Sequence, residues 1–244
     1  MHDYRYAIGE ILPDAAIAGF TTTFDGEYLF VACFCALVQS RIDNYELVKT
    51  YWFGKDLQTV TAKWDCKYVF VGFFDGSLNQ ICVESQTVTK DYGKIHVDRI
   101  MRLQVTSDNK YLITGNEGGE AKIIEIESQK IVKDFDQIGS EIDPEIGYKN
   151  VGTTQLARGD QSLFVYDDSC KLKLMDLTDG TTIKDFGRAH DSWVGPGQSI
   201  IATGDGQHVF TISKIGDLKQ WSVADVALVG HFGEISNQIC GICD

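Results

Sequence analysis

A chain of 244 residues is long enough for one large all-β domain or two ordinary domains, and 43% hydrophobic with 23% charged residues is the composition of a folded globular protein. With 22 Lys and Arg against 35 Asp and Glu, the net charge of −13 argues against nucleic acid and anionic membranes as partners, because both ask for a basic footprint. The longest nearly unbroken apolar run, Leu29 to Val38, is about half of the ~20 residues that a spanning helix needs, so no membrane insertion is expected.

At the start, Met1-His2-Asp3-Tyr4-Arg5-Tyr6 lacks the basic opening and apolar stretch of a secretory signal. The seven cysteines are an odd number, and no Asn-x-Ser/Thr sequon accompanies them. A reducing, cytoplasmic setting is the expectation.

From there the chain reads as repeats. The first, residues 10–51, turns at Asp25-Gly26 into the β-rich Tyr28-Leu29-Phe30 and closes on Tyr51. The second, 52–92, turns at Asp65-Cys66 into Tyr68-Val69-Phe70 and closes on Tyr92. The third, 93–135, turns at Asp108-Asn109 and closes on Phe135; the fourth, 136–186, turns at Asp160-Gln161 and closes on Phe186. The fifth, 187–232, turns at Asp205-Gly206 and closes on Phe232. Asp, Asn and Gly tolerate tight-turn dihedrals, and the β-branched and aromatic residues that follow suit a half-buried pleat.

Eleven residues before each closing aromatic stand Ser40, Ile81, Ile124, Met175 and Trp221, and in the first four repeats Lys49, Lys90, Lys133 and Lys184 precede the aromatic by two. Aromatics make up 11% of the chain, so five at one aligned position is not a chance pattern. Each repeat predicts a hairpin followed by two more strands. Residues 233–244 predict the first strand of a sixth repeat, since Ile235 to Cys243 resembles Arg99 to Ser107.

These units resemble WD repeats, the four-stranded blades of the WD-repeat β-propeller family, over nearly the whole chain. Asp75-Gly76-Ser77-Leu78-Asn79-Gln80-Ile81 is laid out like that family's turn and third strand. Trp221-Ser222 and Met175-Asp176 each keep half of the Trp-Asp pair, while Ile124-Glu125 and Ile81-Cys82 keep neither. Gly230-His231 is displaced from its usual loop, and His96 and His190 fall where the family's His often sits. The resemblance implies an all-β propeller in a single domain over 1–244, with five complete blades and the first strand of a sixth, as part of a seven-bladed ring. Tyr4 to Gly9 is expected as an outer strand that closes it. The buried Asp–His–Ser/Thr–Trp network of that family is expected to be incomplete here, with hydrophobic packing in its place.

Several segments invite chemistry. Asp134 to Glu145 places oxygen ligands at positions 1, 3, 7 and 12 of an EF-hand-like loop and Gly at 6. Ile at position 5, Glu at 8 and the want of flanking helices make a solvated acidic insertion the better reading. Cys240 and Cys243 are three apart on a predicted strand and so point to opposite faces, and Cys33 and Cys35 lie in an apolar strand. His96 and His190 read as loop histidines that fix turn geometry. No Gly-x-Ser-x-Gly elbow is present, and Gly195-Pro196-Gly197 is a turn, not a phosphate cradle. No catalytic, cofactor or metal residues are therefore expected, and the chain is read as a non-enzyme.

What remains is recognition. The loops that lead from a fourth strand to the next first strand carry Trp52, Phe53 and Lys55, then Tyr148, and then Arg188, His190 and Trp193. Exposed Trp, Tyr and Arg are the residue types that dominate binding energy at interfaces. The expected function is a protein–protein interaction scaffold, a subunit of a larger cytoplasmic or cytoskeletal assembly, ciliary ones included. The alternative is a regulatory propeller of a longer enzyme whose catalytic part lies outside this chain.

Overall fold

The computed structural model describes residues 17–118, 120–135, 151–157, 159–167, 170–191, 200–213 and 215–234, and every regular element among them is a β-strand. The first sheet comprises β1 (Ile17–Thr22), β2 (Tyr28–Cys33), β3 (Ala36–Arg41) and β4 (Leu47–Trp52). The second comprises β5 (Leu57–Ala62), β6 (Tyr68–Phe73), β7 (Ser77–Cys82) and β8 (Thr87–Lys94). The third comprises β9 (Ile100–Val105), β10 (Tyr111–Asn116), β11 (Ala121–Glu125) and β12 (Lys130–Phe135). β13 (Val151–Leu156), β14 (Ser162–Asp167), β15 (Lys171–Asp176) and β16 (Thr182–Arg188) form the fourth. β17 (Ile200–Ala202), β18 (His208–Ile212), β19 (Asp217–Ser222) and β20 (Ala227–Glu234) form the fifth.

All five sheets run in chain order, since connections of a few residues can only return the chain antiparallel to itself. The predicted repeats are these sheets. Each closing aromatic lies on the fourth strand, and Ser40, Ile81, Ile124, Met175 and Trp221 lie on the third. The closing strand at Tyr4 to Gly9, the strand at 235–243 and the acidic insertion beyond Phe135 lie outside the described residues.

Burial explains the hydrophobic patterning. The second strands are apolar on both faces because both are covered: Phe30 and Val31 of β2, and Phe70 and Val71 of β6, are all buried. The fourth strands are mostly exposed, which is why β8 can read Thr87-Val88-Thr89-Lys90.

The turn between the first two strands repeats in detail. Amides of Thr23, Lys63, Thr106 and Thr203 donate to the carbonyls of Tyr28, Tyr68, Tyr111 and His208 at 2.8–3.0 Å. Within it, Gly26, Cys66, Asn109, Asp160 and Gly206 take left-handed φ between 54° and 72°. Asp25, Asp65, Asp108 and Asp205 each accept the amide two residues on, at 2.9–3.1 Å. The fourth repeat is offset by one from the sequence alignment. Asp160 occupies the left-handed position, where Gly26 stands in the first turn, and Gly159 takes the place of the Asp.

By contact, the chain divides into two compact units, Met1–Thr114 with Ile124–Lys130 and Gly115–Ile123 with Ile131–Asp244. In the first, Phe30, Ala32, Leu37 and Tyr51 of the first sheet pack on Leu57, Val60, Val69 and Val71 of the second. Phe70 and Leu78 of the second pack in turn on Ile100, Leu103, Leu112 and Ile124. In the second unit, Phe164, Tyr166, Leu172 and Phe186 of the fourth sheet meet Ile200, Val209 and Trp221 of the fifth.

Polar ties reinforce this stacking. Asp25 N donates to Cys66 Sγ at 3.3 Å and Asp65 N to Asn109 Oδ1 at 3.3 Å, so the first turn is bonded to the second and the second to the third. The repeated lysines acquire a role. Lys49 Nζ donates to Gln86 O at 2.7 Å, and Lys90 Nζ to Ile126 O and Glu127 O at 3.1 and 3.0 Å. Lys184 Nζ donates to Val223 O. Each reaches from a fourth strand to the turn between the third and fourth strands of the following sheet.

Candidate interaction surface

The second and third strands of a sheet meet in a turn at the same end as the link from its fourth strand to the next sheet. Backbone bonds knit these segments together in the first compact unit. Leu57 N donates to Phe34 O at 2.5 Å, Phe53 N to Cys35 O at 3.0 Å and Phe74 N to Asp56 O at 2.8 Å. Ile95 N and His96 N share Gly76 O at 3.0 and 3.2 Å. Gly76 is required there: its φ is +82°, and a Cβ would stand 2.1 Å from His96 O.

The predicted residues of this end divide by orientation. Trp52, last on β4, is 61% exposed. Phe53 turns inward and meets the Phe73 ring edge-on at 5.1 Å, as part of the core between the sheets. Lys55 lies over the Phe73 ring at 4.1 Å, donates to Ser77 Oγ and pairs with Asp75 at 3.7 Å. Burial raises the Asp75 carboxyl, but hydrogen bonds from Ser77 and the Lys55 charge outweigh it and hold the group below the ordinary carboxylate value.

Sequence reasoning missed other exposed apolar side chains at this end. Phe34, Phe74 and Val97 are 59%, 52% and 66% exposed, and Arg99 lies over the Phe74 ring at 5.5 Å. Phe34 sits in a two-residue turn between paired Cys33 and Ala36, with φ of +35°, which an aromatic residue adopts only under strain. Its place inside a long apolar run concealed that turn.

In the second unit the predicted residues have other tasks. Arg188 Nε donates to His190 O at 3.1 Å and Nη2 to Asp191 O at 3.3 Å, shaping the loop after β16. His190 is 1% exposed and offers no surface. Its Nδ1 bonds Asp217 Oδ2 at 2.9 Å and its Nε2 bonds Thr211 Oγ1 at 2.9 Å, while Trp221 Nε1 donates to the same hydroxyl at 2.9 Å. The fifth sheet therefore has a complete Asp–His–Thr–Trp network, against the expectation that it would be incomplete. The third sheet keeps part of it, with His96 Nε2 2.8 Å from Thr114 Oγ1 and Ile124 where the fifth has Trp221. Tyr148 and Trp193 lie outside the described residues.

Proton positions follow from the donors. Trp221 N–H donates to Thr211, so the hydroxyl proton goes to an unprotonated His190 Nε2, and Nδ1–H serves Asp217. Burial pushes the His190 imidazole below its ordinary value of 6.5, against the upward pull of Asp217. Burial raises the Asp217 carboxyl, but bonds from His190 and from His231, whose Nε2 is 2.6 Å away, bring it below 3.8.

Among the described residues no group of three His, Cys, Asp or Glu is placed to hold a metal ion, and no helix is long and apolar enough to cross a membrane. Asp134, at the head of the EF-hand-like stretch, is bonded to Lys122 at 2.7 Å. The chain matches no protein-family model and no curated protein.

Proposed function

We propose that the chain is a non-enzymatic scaffold, a divergent WD-repeat-like β-propeller whose sheets are blades of a larger ring. In this reading it holds protein partners within a cytoplasmic assembly. Five sheets of one strand order and core packing that repeats from sheet to sheet support it, as does the Asp217–His190–Thr211–Trp221 network of the fifth. One observation carries the binding role: Phe34, Trp52, Phe74 and Val97, each more than half exposed, come from two turns, the end of β4 and one link at one end of successive sheets. Large apolar side chains held in water on a rigid backbone are what a partner's surface would bury.

The test has two arms. Electron micrographs of the protein should show blades around a central hole; an extended stack without closure overturns the propeller. Cross-linking in cells with wild type should recover a partner that the double substitution Trp52→Asp and Phe74→Asp loses. Equal recovery by the variant removes this surface from the reading, and a turnover abolished by a loop substitution ends the non-enzymatic one.

A further inference from the structure

Aromatic rings in the first compact unit are served by the chain's own cations. Arg41 lies over Tyr28 at 5.6 Å, Lys49 over Tyr51 at 5.3 Å, Lys63 over Tyr68 at 5.5 Å, and Lys55 and Arg99 over Phe73 and Phe74. Among the described residues, other aromatic pairs without a cation, such as Phe70 with Tyr92, have at least one member buried or half-buried; one such pair has both members exposed. Phe24, in the turn between β1 and β2, stacks on Trp64, in the turn between β5 and β6, with centroids 3.8 Å apart and planes at 19°. The rings are 53% and 45% exposed, so the stack is a platform and not a core contact. It is also rigidly placed, since Trp64 Nε1 donates to Val105 O at 3.1 Å.

The electrostatics beside this platform are one-sided. Residues 23–27, 41–46, 63–67, 83–86, 106–110 and 126–129, the turns at this end of the unit, hold eight Asp and Glu against four Lys and Arg, and Lys49 and Lys90 reach in from fourth strands as two further cations. Three of those four cations are already paired, Arg41 with Asp43, Lys63 with Asp65 and Lys110 with Asp108. Asp25, next to Phe24, accepts the Glu27 amide at 3.0 Å, and among the described residues neither Asp25 nor Glu27 has a Lys or Arg at ion-pair distance. The hydrogen bond from Thr23 and that amide hold the Asp25 carboxyl below its ordinary value, so it is ionised at neutral pH.

We propose that the Phe24–Trp64 stack with Asp25 receives an arginine side chain from a basic segment of a partner protein. A planar guanidinium lies over the outer ring face, and its N–H fork meets the neighbouring carboxylate. Lysine offers a compact, strongly hydrated charge that cannot stack in this way. This surface lies at the opposite end of the sheets from Trp52 and does not depend on a partner binding there.

The experiment titrates the full chain with a capped Gly-Arg-Gly-Arg-Gly peptide, and with lysine and citrulline versions of it, by calorimetry and by the Trp64 indole N–H resonance. The arginine peptide should bind, shift that resonance and bind more tightly than the lysine peptide. Phe24→Ala and Asp25→Asn should each weaken it by about three- to tenfold, the scale of an exposed cation–π contact or ion pair. Asp191→Asn, an exposed charge of the second compact unit, should leave it unchanged. Trp64→Phe keeps the ring and should keep most of the affinity. Equal losses for Asp25→Asn and Asp191→Asn, or equal affinity for all three peptides, overturn the proposal as diffuse attraction to an acidic protein. Self-association through this face without peptide binding overturns it as well.

Discussion

Thr211 is the centre of the network in the fifth sheet, and Thr211→Val removes its hydroxyl while keeping its shape. The side chain is fully buried and serves both Trp221 Nε1 and His190 Nε2 at 2.9 Å. Substitution strands a buried donor and a buried acceptor, each costing about 1–3 kcal/mol, so a loss of about 2–6 kcal/mol is expected. For a chain of this size that lowers Tm by about 4–24 °C. Thr211→Ser keeps the hydroxyl and loses one methyl group, a loss of about 1 kcal/mol. Thermal unfolding followed by tryptophan fluorescence and by circular dichroism separates the two. Thr211→Val melting within about 1 °C of wild type, or Thr211→Ser losing as much as Thr211→Val, would refute the claim that the network stabilises the sheet.

His190 sets a pH dependence. Its folded pKa lies below the unfolded 6.5, so stability is complete above that value and falls as pH drops below it, by up to about 1.4 kcal/mol per pH unit. Urea midpoints at pH 7.5, 6.5 and 5.5 should decline in that order, and a flat series refutes the buried neutral imidazole. Gly76→Ala should cost more than about 3 kcal/mol, because positive φ and a clash with the His96 carbonyl coincide; a soluble variant with an unchanged urea midpoint contradicts it. Lys90→Met should cost about 1–2 kcal/mol by leaving two carbonyls without their ammonium donor, read again from urea unfolding. Trp52→Ala should change stability by less than about 0.5 kcal/mol, as befits a side chain 61% exposed, and a larger loss would make it a packing residue.

The repeat was legible because the closing aromatics and their lysines occupy fixed places on fourth strands, where Tyr51 and Tyr92 also bond Gln39 and Gln80 at 2.6 and 3.1 Å. The position eleven residues earlier varies from Ser40 to Trp221 because, of these five residues, only the tryptophan has an indole N–H to place. The network itself was illegible. Its members are 21 and 27 residues apart from His190, and adjacent Trp-Asp halves are a poor guide to an Asp that comes four residues before the Trp. The offset at Asp160 arose because both Gly159 and Asp160 suit a turn, and only the hydrogen bond from Asp160 N to Ala157 O decides between them. At the candidate surface, Trp52 could be found from residue type and loop position, whereas Phe53 and His190 were indistinguishable from exposed residues until their partners were known.

The lysine clamps all point one way along the chain. Each ammonium belongs to the earlier sheet and its carbonyl acceptor emerges 36–40 residues later. A sheet's own strands are therefore not enough to satisfy its lysine: the clamp closes only when the following sheet's turn is in place, which couples the integrity of each sheet to that of its successor.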